Sequence, residues 1–474
     1  MNQQQFSFGM IGLGTMGSNL VLNMTDHGYS VAGYDKDINK VNDLNKFAPE
    51  KKLKAFNDVA DFVHALEVPR VIMLLVPAGK IVDAVIADLK PFLSDHDIII
   101  DCGNSHFTDT QLRIDMLIKD NLHFMGLGVS GGETGARFGP SIMPGGDMAA
   151  YTRIEPMLQA IAAKVNGEPC TAYMGTGSAG HYVKMVHNGI EYALMQLISE
   201  TYHLLKVYAG LSNEELHTVF ERWNKEKLQS FLIEITAAVF TQQDEDGTGL
   251  LIDKIADIAH QKGTGAWMSQ DAMTLPSPIP AIDAAVSQRT LSSLKTERVA
   301  AAETNVKEPM VGNTGNKNDF INQAEDALHA AFIITYAQGL AMLQQASAIY
   351  KYNIHISTVA AIWRGGCIIR AAMLEDITTA FIQQPTLKNL MLSSQFSTQL
   401  NQEQFSLKGI LKAAINNAIP VPAFSACMSY YDSYYSSWLP ANLIQAQRDF
   451  FGAHTYERLD KPGIFHTNWN QKIQ

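Results

Sequence analysis

The sequence predicts an α/β domain built on a parallel sheet, then a large all-α domain and a C-terminal tail. Over about the first 175 residues, short apolar runs alternate with segments of helical period, as in successive βαβ units. From about Ala179 the apolar residues recur with helical period over long segments, and strand-like runs almost vanish. After about Leu439 this period breaks in a stretch rich in aromatic and turn residues. These changes set the predicted domains at 1–178, 179–439 and 440–474.

Length, charge and cysteine usage narrow the class of protein. With 474 residues, 46% of them hydrophobic, the chain has room for two or three domains with sizeable cores. Its formal net charge of -11 speaks against a nucleic-acid binder. The four cysteines lie far apart without metal-ligand spacing, so we expect reduced thiols and no bound metal. We expect no signal segment and no membrane span, since the longest apolar run, 71–78, is far too short. The expectation is a cytoplasmic protein that binds neither nucleic acid nor membrane.

The first domain begins with a strand and a glycine-rich turn. Its predicted strands are 6–13, 30–34, 70–76, 97–101 and 123–129. The residues that follow the first strand and open a helix are Gly12, Leu13, Gly14, Thr15, Met16 and Gly17.

This spacing is typical of a Rossmann-like dinucleotide site. The first glycine of Gly-x-Gly-x-x-Gly makes a tight turn, the second lets the backbone approach a pyrophosphate, and the third allows close helix packing. The helix N-terminus adds amide donors for the phosphates. A structural glycine turn without a ligand is the alternative, but the position between strand and helix favours a nucleotide-binding domain.

The second predicted strand ends in acidic residues. Tyr34 is followed by Asp35, Lys36 and Asp37, about 18 residues after the glycine turn. A carboxylate at this point accepts hydrogen bonds from the adenosine ribose hydroxyls and repels a 2'-phosphate. The pattern favours NAD over NADP, although Lys36 partly counters the repulsion. In the alternative interpretation, Asp35 only begins a turn.

Two further loops follow strands at the carboxyl edge of the predicted sheet, where doubly wound folds bind ligands. One is 101–105, which contains Asn104. The other is 129–136, which contains Ser130, Gly131 and Gly132. Backbone amides in such a turn suit a carboxylate. A glycine-rich turn with no ligand is the alternative, and the spacing alone leaves it open.

A polar stripe runs along an otherwise apolar helix near the start of the second domain. At about 100° per residue, the polar side chains that share one sector are Lys184, His187, Asn188, Glu191 and Tyr192. An amine and a carboxyl group two turns apart therefore lie on one face. An ordinary solvated face is the alternative. Against it, such a face favours Glu, Lys, Gln and Arg, whereas His, Asn and Gly are poor helix formers.

These residues belong to longer stretches that resemble the long-form 6-phosphogluconate dehydrogenases, which are decarboxylating enzymes of the pentose phosphate route. The resemblance covers essentially the whole chain. The stretches that carry it are 128–137, 184–192, 261–265, 291–295, 363–370 and 445–455. Several ordered matches of this kind are far more specific than a single glycine motif.

The resemblance implies a homodimer whose interface is formed largely by the helical domain, with a tail that reaches the partner's active site. It implies Lys184 as general base and Glu191 as general acid. The residues implied at the sugar-acid end of the substrate are Asn104, Ser130, Gly131, Gly132, His187 and Asn188. Those implied at the phosphate end are Tyr192, Lys262, Arg289, Arg448 and His454, the last two from the neighbouring subunit. For the lysine and the two arginines of this set, a solvated surface cation is the alternative.

The chain departs from the family pattern where the 2'-phosphate of NADP would bind. The family's NADP enzymes usually carry Asn-Arg-Thr where this chain has acidic residues at 35 and 37. They usually carry a lysine in a Leu-Val-Lys-Ala-Gly stretch, and Pro77 takes that place here. The cofactor candidates outside the glycine turn therefore also include Val76, Pro77, Ala78 and Asn104. The family default is NADP, but the lost contacts and the added charges lean to NAD.

The implied reaction oxidises 6-phospho-D-gluconate at C3 and decarboxylates it to D-ribulose 5-phosphate and CO2, with NAD or NADP reduced. Two rival interpretations are left open. A β-hydroxyacid dehydrogenase acting on a smaller acid would share the glycine motif and Lys184, but would not need the phosphate-binding cations. A non-catalytic helical interaction protein would not need the pair of Lys184 and Glu191.

Overall fold

The structure is a computed structural model, and it describes residues 5–261, 263–305, 312–313 and 315–469. The strands of its main sheet are β1 Phe8–Ile11, β2 Val31–Tyr34, β3 Leu53–Phe56, β4 Val71–Leu74, β5 Ile98–Asp101, β6 His123–Ser130 and β7 Ser141–Gly145. The helices of the same region are α1 Thr15–Asp26, α2 Ile38–Asn45, α3 Val59–His64, α4 Lys80–Leu89, α5 Phe107–Leu117, α6 Gly132–Phe138 and α7 Met148–Ile161.

The strands lie in the order β3-β2-β1-β4-β5-β6-β7. Strands β1 to β6 run parallel, and β7 runs antiparallel to β6. The strands β1, β2, β4 and β5 are buried at every residue, which explains their continuous apolar sequences. One apolar core joins the sheet to α1, α2 and α7, and a second joins its other face to α3, α4 and α5. The order reverses beside β1, so the loops after β1 and β4 meet at the point where such folds bind ligands.

A short hairpin of β8 Lys164–Val165 and β9 Glu168–Pro169 leads to the helical region. Its helices are α8 Ala179–His203, α9 Asn213–Trp223, α10 Phe231–Val239, α11 Thr264–Thr274, α12 Pro280–Ser293, α13 Lys295–Thr304, α14 Lys317–Ile349, α15 Ile356–Ile362, α16 Met373–Gln383, α17 Ser394–Asn416 and α18 Pro422–Tyr434. Helix α8 packs against β6 and β7 of the sheet and against α11, α12 and α14. It is therefore the element that joins the sheet to the helices.

The chain forms two compact units, one up to Cys427 and one from Met428 onward. The second unit contains α19 Ala441–Gly452 and a hairpin of β10 Tyr456–Glu457 and β11 Ile464–Phe465. The predicted α/β fold followed by a large helical region is confirmed, whereas the predicted domain boundaries stay predictions. Among the described helices, none combines the length and the apolar character needed to cross a bilayer. All four cysteines are buried free thiols.

Candidate active site

The glycine turn after β1 has the geometry of a dinucleotide cradle. Gly12 has a φ of +94°, and a Cβ added there would lie 2.4 Å from the carbonyl oxygen of Leu75. A Cβ on Gly17 would lie 1.9 Å from the oxygen of Gly12, so α1 needs glycine to pack this closely. At Gly14, the residue that precedes α1, an added Cβ would meet nothing within 4 Å. The turn is tight where the chain packs and open where α1 presents its amides, which fits a bound pyrophosphate.

Asp35, at the end of β2, is held against this turn. Its Oδ2 accepts a hydrogen bond from the N–H of Leu13 at 2.9 Å, and its Oδ1 accepts from the N–H of Asp37 at 2.9 Å. Asp37 in turn caps α2. The amine of Lys36 pairs with the carboxylate of Asp88 on α4 at 3.1 Å. Both carboxylates thus stabilise the local turn and place negative charge at the end of β2, while Lys36 already has an acidic partner.

The other cofactor candidates follow β4 and β5 at the same edge of the sheet. The half-buried or exposed residues there are Val76, Pro77, Ala78 and Asn104. The loop that carries Asn104 is held by the side chain of Asp101, which is fully buried. The carboxylate of Asp101 accepts from the N–H of Gly103 at 3.0 Å and from the hydroxyl of Ser105 at 2.6 Å. Asn104 is therefore an exposed side chain on an anchored loop.

Lys184 is buried on α8, with 7% of its surface exposed. Its Nζ donates a hydrogen bond to Oδ1 of Asn188 at 2.8 Å and lies 3.5 Å from Nδ1 of His187. Burial lowers the pKa of the Lys184 amine, although the carboxylate of Glu191 counteracts this in part. A lysine with a lowered pKa is neutral in a larger fraction of molecules, and only a neutral amine accepts a proton.

His187, on α8, is fully buried and faces Ser130 at the end of β6. Its Nε2 lies 3.3 Å from Oγ of Ser130, and its Nδ1 lies 3.8 Å from Oε2 of Glu191. The rings of His187 and Trp363 pack edge to face, with 5.6 Å between their centres. Burial and the nearby Lys184 amine hold the pKa of His187 well below its usual range. The imidazole is therefore neutral near pH 7, with one nitrogen as donor and one as acceptor.

Glu191 lies two turns beyond Lys184 and is partly open, with 21% of its side chain exposed. Burial raises the pKa of its carboxyl group, and the charges of Lys184 and Arg289 counteract this in part. A raised pKa keeps a proton available for donation. Burial thus shifts the two groups on this helix in the directions that a base and an acid require.

A glycine on the facing strand and one within α8 allow a polar stripe to be buried. A Cβ on Gly128 of β6 would lie 2.5 Å from Cβ of Lys184, so the strand needs glycine beside the amine. A Cβ on Gly189 would lie 2.0 Å from the sulfur of Met268 on α11. The helix is therefore enclosed by the sheet and by α11. The interpretation of the stripe as a solvated face is wrong, because Lys184, His187, Asn188 and Tyr192 are buried.

The loop after β6 packs against residues 363–366, to which the sequence pattern alone assigns no function. Gly131 and Gly132 have φ values of +109° and +61°, and a Cβ on Gly131 would lie 2.5 Å from the carbonyl oxygen of Gly366. Trp363, from the same segment, contacts His187. In the sequence, this segment is marked only by the stretch 363–370 that resembles the family, and the resemblance does not indicate which residues it contacts.

At the predicted phosphate end, Arg289 stacks on Tyr192. The guanidinium carbon lies 3.4 Å from the ring centre, and one N–H donates to the carbonyl oxygen of His260 at 3.5 Å. Within the described residues, Arg289 makes no ion pair with a carboxylate, so its charge is available to an anion. A Cβ on Gly265 would lie 2.6 Å from the Tyr192 ring, which brings the start of α11 to the same place. Lys262 lies outside the described residues.

The two predicted tail ligands lie in the second compact unit. Arg448 is exposed on α19, and its guanidinium donates to Oε1 of Gln445 at 3.0 Å. His454 is exposed just after the same helix, with its ring 5.9 Å from that of Phe451. One helix end therefore carries both side chains.

A nucleotide cradle on a parallel sheet, with a buried lysine on the helix that packs against this sheet, defines a nicotinamide-dinucleotide-dependent dehydrogenase. Within the described part of the chain, no group of three or more His, Cys, Asp or Glu side chains is placed to hold a metal ion. Comparison with known proteins narrows this class. The model of the NAD binding domain of 6-phosphogluconate dehydrogenase matches residues 7–175, and the model of the 6-phosphogluconate dehydrogenase C-terminal domain matches 180–469. The chain belongs to the 6-phosphogluconate dehydrogenase family.

Individual relatives agree over their full length. The NADP(+)-dependent, decarboxylating 6-phosphogluconate dehydrogenase of Bacillus subtilis strain 168 is 49% identical over 469 residues, 99% of this chain and 100% of that protein. The decarboxylating enzyme of Escherichia coli K12 is 48% identical over 470 residues, with the same coverage of 99% and 100%. The solved 6-phosphogluconate dehydrogenase of Plasmodium falciparum, described in its apo form and in complexes with NADP+ and with 6-phosphogluconate, superposes with a TM-score of 0.95. It is 40% identical and covers 98% of this chain and 100% of its own. The predicted resemblance is confirmed.

Proposed function

We propose that the protein catalyses the oxidative decarboxylation of 6-phospho-D-gluconate to D-ribulose 5-phosphate and CO2, with reduction of NAD or NADP, in the pentose phosphate pathway. The observation that carries this proposal is the buried amine of Lys184, 2.8 Å from Asn188, on the helix that packs against the nucleotide-binding sheet. The relatives support the substrate, because enzymes at 48% and 49% identity are named for this reaction.

The residues of the glycine turn fit a nicotinamide dinucleotide, which when bound would supply the hydride acceptor for the oxidation. Gly14 leaves open space at the N-terminus of α1 for the pyrophosphate. Asp35 places a carboxylate at the end of β2 for the ribose hydroxyls. The remaining chemistry, proton transfer and charge stabilisation, falls to side chains of the protein.

Lys184 is the general base in this proposal and takes the proton of the C3 hydroxyl. A free lysine has a pKa of about 10.4 and is almost entirely charged near pH 7. Burial lowers the pKa of Lys184 and increases the neutral fraction. Asn188 accepts one N–H of the amine, which leaves the nitrogen lone pair directed elsewhere.

Removal of this proton together with the C3 hydride gives a 3-keto acid. This acid loses CO2, because its new carbonyl accepts the electron pair of the breaking C–C bond. Protonated Lys184 stabilises the developing oxyanion. The enediol that remains must gain a proton at the carbon that carried the carboxylate, which becomes C1 of the product. Glu191, whose Oε2 lies 3.8 Å from Nδ1 of His187 and two turns beyond Lys184 on the same helix, supplies it.

The substrate is held at two ends. Residues proposed for the sugar-acid end are Asn104, Ser130, Gly131, Gly132, His187 and Asn188, of which Ser130 and His187 are in contact at 3.3 Å. Those proposed for the phosphate end are Tyr192, Lys262 and Arg289 of one subunit with Arg448 and His454 of the partner subunit. The stacked, carboxylate-free guanidinium of Arg289 supports an anion at this end.

We propose NAD as the better cofactor of this enzyme. Asp35 is fixed by two backbone N–H groups and cannot easily turn away from a 2'-phosphate. Lys36 is engaged by Asp88 at 3.1 Å, and Lys40 lies 3.4 Å from Oδ2 of Asp35 with its side chain exposed, where an ion pair is weak. Pro77 brings no charge to the third loop. The name of the Bacillus relative and the solved NADP+ complex weigh on the other side.

We also propose a cytoplasmic homodimer with exchanged tails. Helix α13 has no buried residue in the single chain, although it contains Val299, which is 47% exposed. In the tail, Phe450 and Phe451 are 55% and 73% exposed. These exposed apolar side chains support the proposal that α13 and the tail are buried against a second subunit.

The proposal is tested by incubating the purified protein with 6-phosphogluconate and either NAD or NADP. Reduced nicotinamide and CO2 are measured together, and equal amounts of the two are expected. Reduction without CO2 would instead indicate a β-hydroxyacid dehydrogenase. No reduction with either cofactor would overturn the proposed function.

A further inference from the structure

The second compact unit is organised around a carboxylate. Among the residues of α19, Asp449 alone is buried, with 0% of its surface exposed. The large apolar side chains of the same helix point to the surface, including Leu443 at 61% and Phe451 at 73% exposed. A carboxylate removed from water needs hydrogen-bond donors to be stable.

Four donors fill the acceptor sites of Asp449. Its Oδ1 accepts from the N–H of Thr455 at 2.9 Å and from Nδ1 of His466 at 2.8 Å. Its Oδ2 accepts from the N–H of Thr467 at 3.0 Å and from Nε1 of Trp469 at 2.8 Å. Burial raises the pKa of Asp449, but these hydrogen bonds outweigh it and hold the pKa well below its usual range. The carboxylate therefore links α19 to two segments that follow it, the turn at 453–455 and the stretch 466–469.

The first of these segments carries His454. Gln445 links it to Arg448, because its Nε2 donates to the carbonyl oxygen of Thr455 at 2.5 Å and its Oε1 accepts from the guanidinium at 3.0 Å. A Cβ on Gly452 would lie 2.6 Å from Nε2 of His454, so the imidazole folds over the helix end. Thr455 has a φ of +61°, which sets the sharp turn that Asp449 fixes.

We propose that Asp449 is the positioning residue that presents Arg448 and His454 of one subunit to the substrate phosphate in its partner. The inference rests on the proposed function, in which these two side chains bind that phosphate. Asp449 itself does not touch the substrate, because a carboxylate has about four acceptor sites and all are used within the unit. Its contribution is to fix the turn at 453–455, so that little ordering is left for the moment of binding.

Asp449→Asn tests this with almost no change in volume. The amide presents N–H groups where one pair of donors needs an acceptor, so the turn loses its anchor. We expect the KM for 6-phosphogluconate to rise about tenfold or more, while kcat and the KM for the cofactor change less than about twofold. Asp460→Asn is the matched control, since Asp460 is an exposed carboxylate of the same unit, paired with Arg458 at 2.7 Å. It should leave all three constants unchanged.

A combined variant separates positioning from general damage to the tail. In a background of Arg448→Ala and His454→Ala, Asp449→Asn should add no further rise in substrate KM, because the groups it places are gone. A further rise as large as in the wild type would overturn the proposal. Trp469→Phe removes one of the four donors and keeps an aromatic ring. It should raise the same KM about threefold, and an unchanged KM would contradict the proposal even if Asp449→Asn fails to fold.

The outcomes also separate this inference from the function on which it rests. If Arg448→Ala and His454→Ala leave the substrate KM unchanged, the proposed phosphate site is wrong. If they raise it and Asp449→Asn does not, only the positioning role is wrong.

Discussion

The amine of Lys184 donates a 2.8 Å hydrogen bond to the side-chain oxygen of Asn188, across one turn of a helix segment, 179–190, in which every residue is buried. Because this oxygen takes one N–H, it fixes how the nitrogen is oriented. The lone pair of the neutral amine is thus directed by a buried side chain of the same helix. The expected behaviour of several variants follows from this arrangement.

Lys184→Met should slow turnover strongly without unfolding the protein. Methionine fills a similar buried volume, so the loss concerns the proton acceptor and not the core. A general base typically contributes roughly 10² to 10⁴ in rate, and kcat/KM should fall by this factor. Circular dichroism and gel filtration serve as controls for fold and assembly. Turnover near the wild-type rate would show that Lys184 is not the base.

The activity should have a bell-shaped pH profile. The active form needs a neutral Lys184, whose pKa is lowered by burial, and a protonated Glu191, whose pKa is raised by burial. Falling pH protonates the base, and rising pH deprotonates the acid, so kcat/KM declines on both sides. In Glu191→Gln the residual activity should be roughly 10² to 10⁴ lower and should lose its decline at high pH. A decline at high pH that survives in this variant would exclude Glu191 as its cause.

Replacing the carboxylates after β2 should change the cofactor preference. A mismatch of about 1 to 3 kcal/mol would favour NAD by roughly tenfold to a hundredfold or more in kcat/KM. Asp35→Asn with Asp37→Thr should move the preference toward NADP, because both charges are removed. The asparagine oxygen still accepts from the N–H of Leu13, and the hydrogen bond from the N–H of residue 37 is lost. Asp35→Ala is the control, since it removes this anchor and should weaken both cofactors. A wild type that clearly prefers NADP would refute the proposed preference.

Hybrid dimers should reveal the exchange of tails. Arg448→Ala should raise the substrate KM sharply, and Lys184→Met should have very low activity. In a mixed dimer of these two variants, one of the two sites has both groups intact, so some activity should return. Well-formed hybrids, verified by differently tagged subunits, that recover no activity would argue against a tail that acts across subunits.

Glu200 should make the stability depend on pH. Its carboxylate, with 3% of the residue exposed, accepts from the N–H groups of Ala423 and Phe424 at 2.9 and 3.0 Å. Burial raises its pKa from 4.5 to about 7, although these hydrogen bonds counteract burial. The folded protein thus binds more protons between these values, so the contribution is greatest below the unfolded pKa and is lost as pH rises through about 7. Thermal unfolding from pH 5 to pH 8 should show a decline of up to about 3 kcal/mol that is absent from Glu200→Gln. Equal slopes in both proteins would contradict this.

Most of the sheet could be predicted from apolar runs, but two strands could not. In β3, Lys54 is exposed between the buried residues Leu53 and Ala55, and four residues are too few to establish an alternating pattern. β7 contains Pro144, which argues against a strand. It is tolerated because β7 lies at the edge of the sheet, a property of the tertiary structure.

The candidate site shows the same division. The helical period of α8 is enough to place Lys184, His187 and Asn188 on one face, and the position of the glycine turn after β1 is enough to identify it. The sequence could not decide whether that face is buried, because Gly128 and Met268, which enclose it, come from other elements. Trp363 and Gly366 were missed for the same reason, since their contacts with His187 and Gly131 span long stretches of chain.

Catalytic groups often lie on mobile segments, but α8, which carries Lys184, is tightly enclosed by β6 and α11. Backbone amides near Lys184 can exchange their hydrogen for deuterium only when the strand at Gly128 and the helix at Met268 separate, so they should be among the last to exchange. In a dissociated subunit, α19 and its hairpin bury few apolar side chains and should exchange early. Partial opening of the tail would therefore inactivate the enzyme by weakening substrate binding, while Lys184 and Glu191 kept their positions.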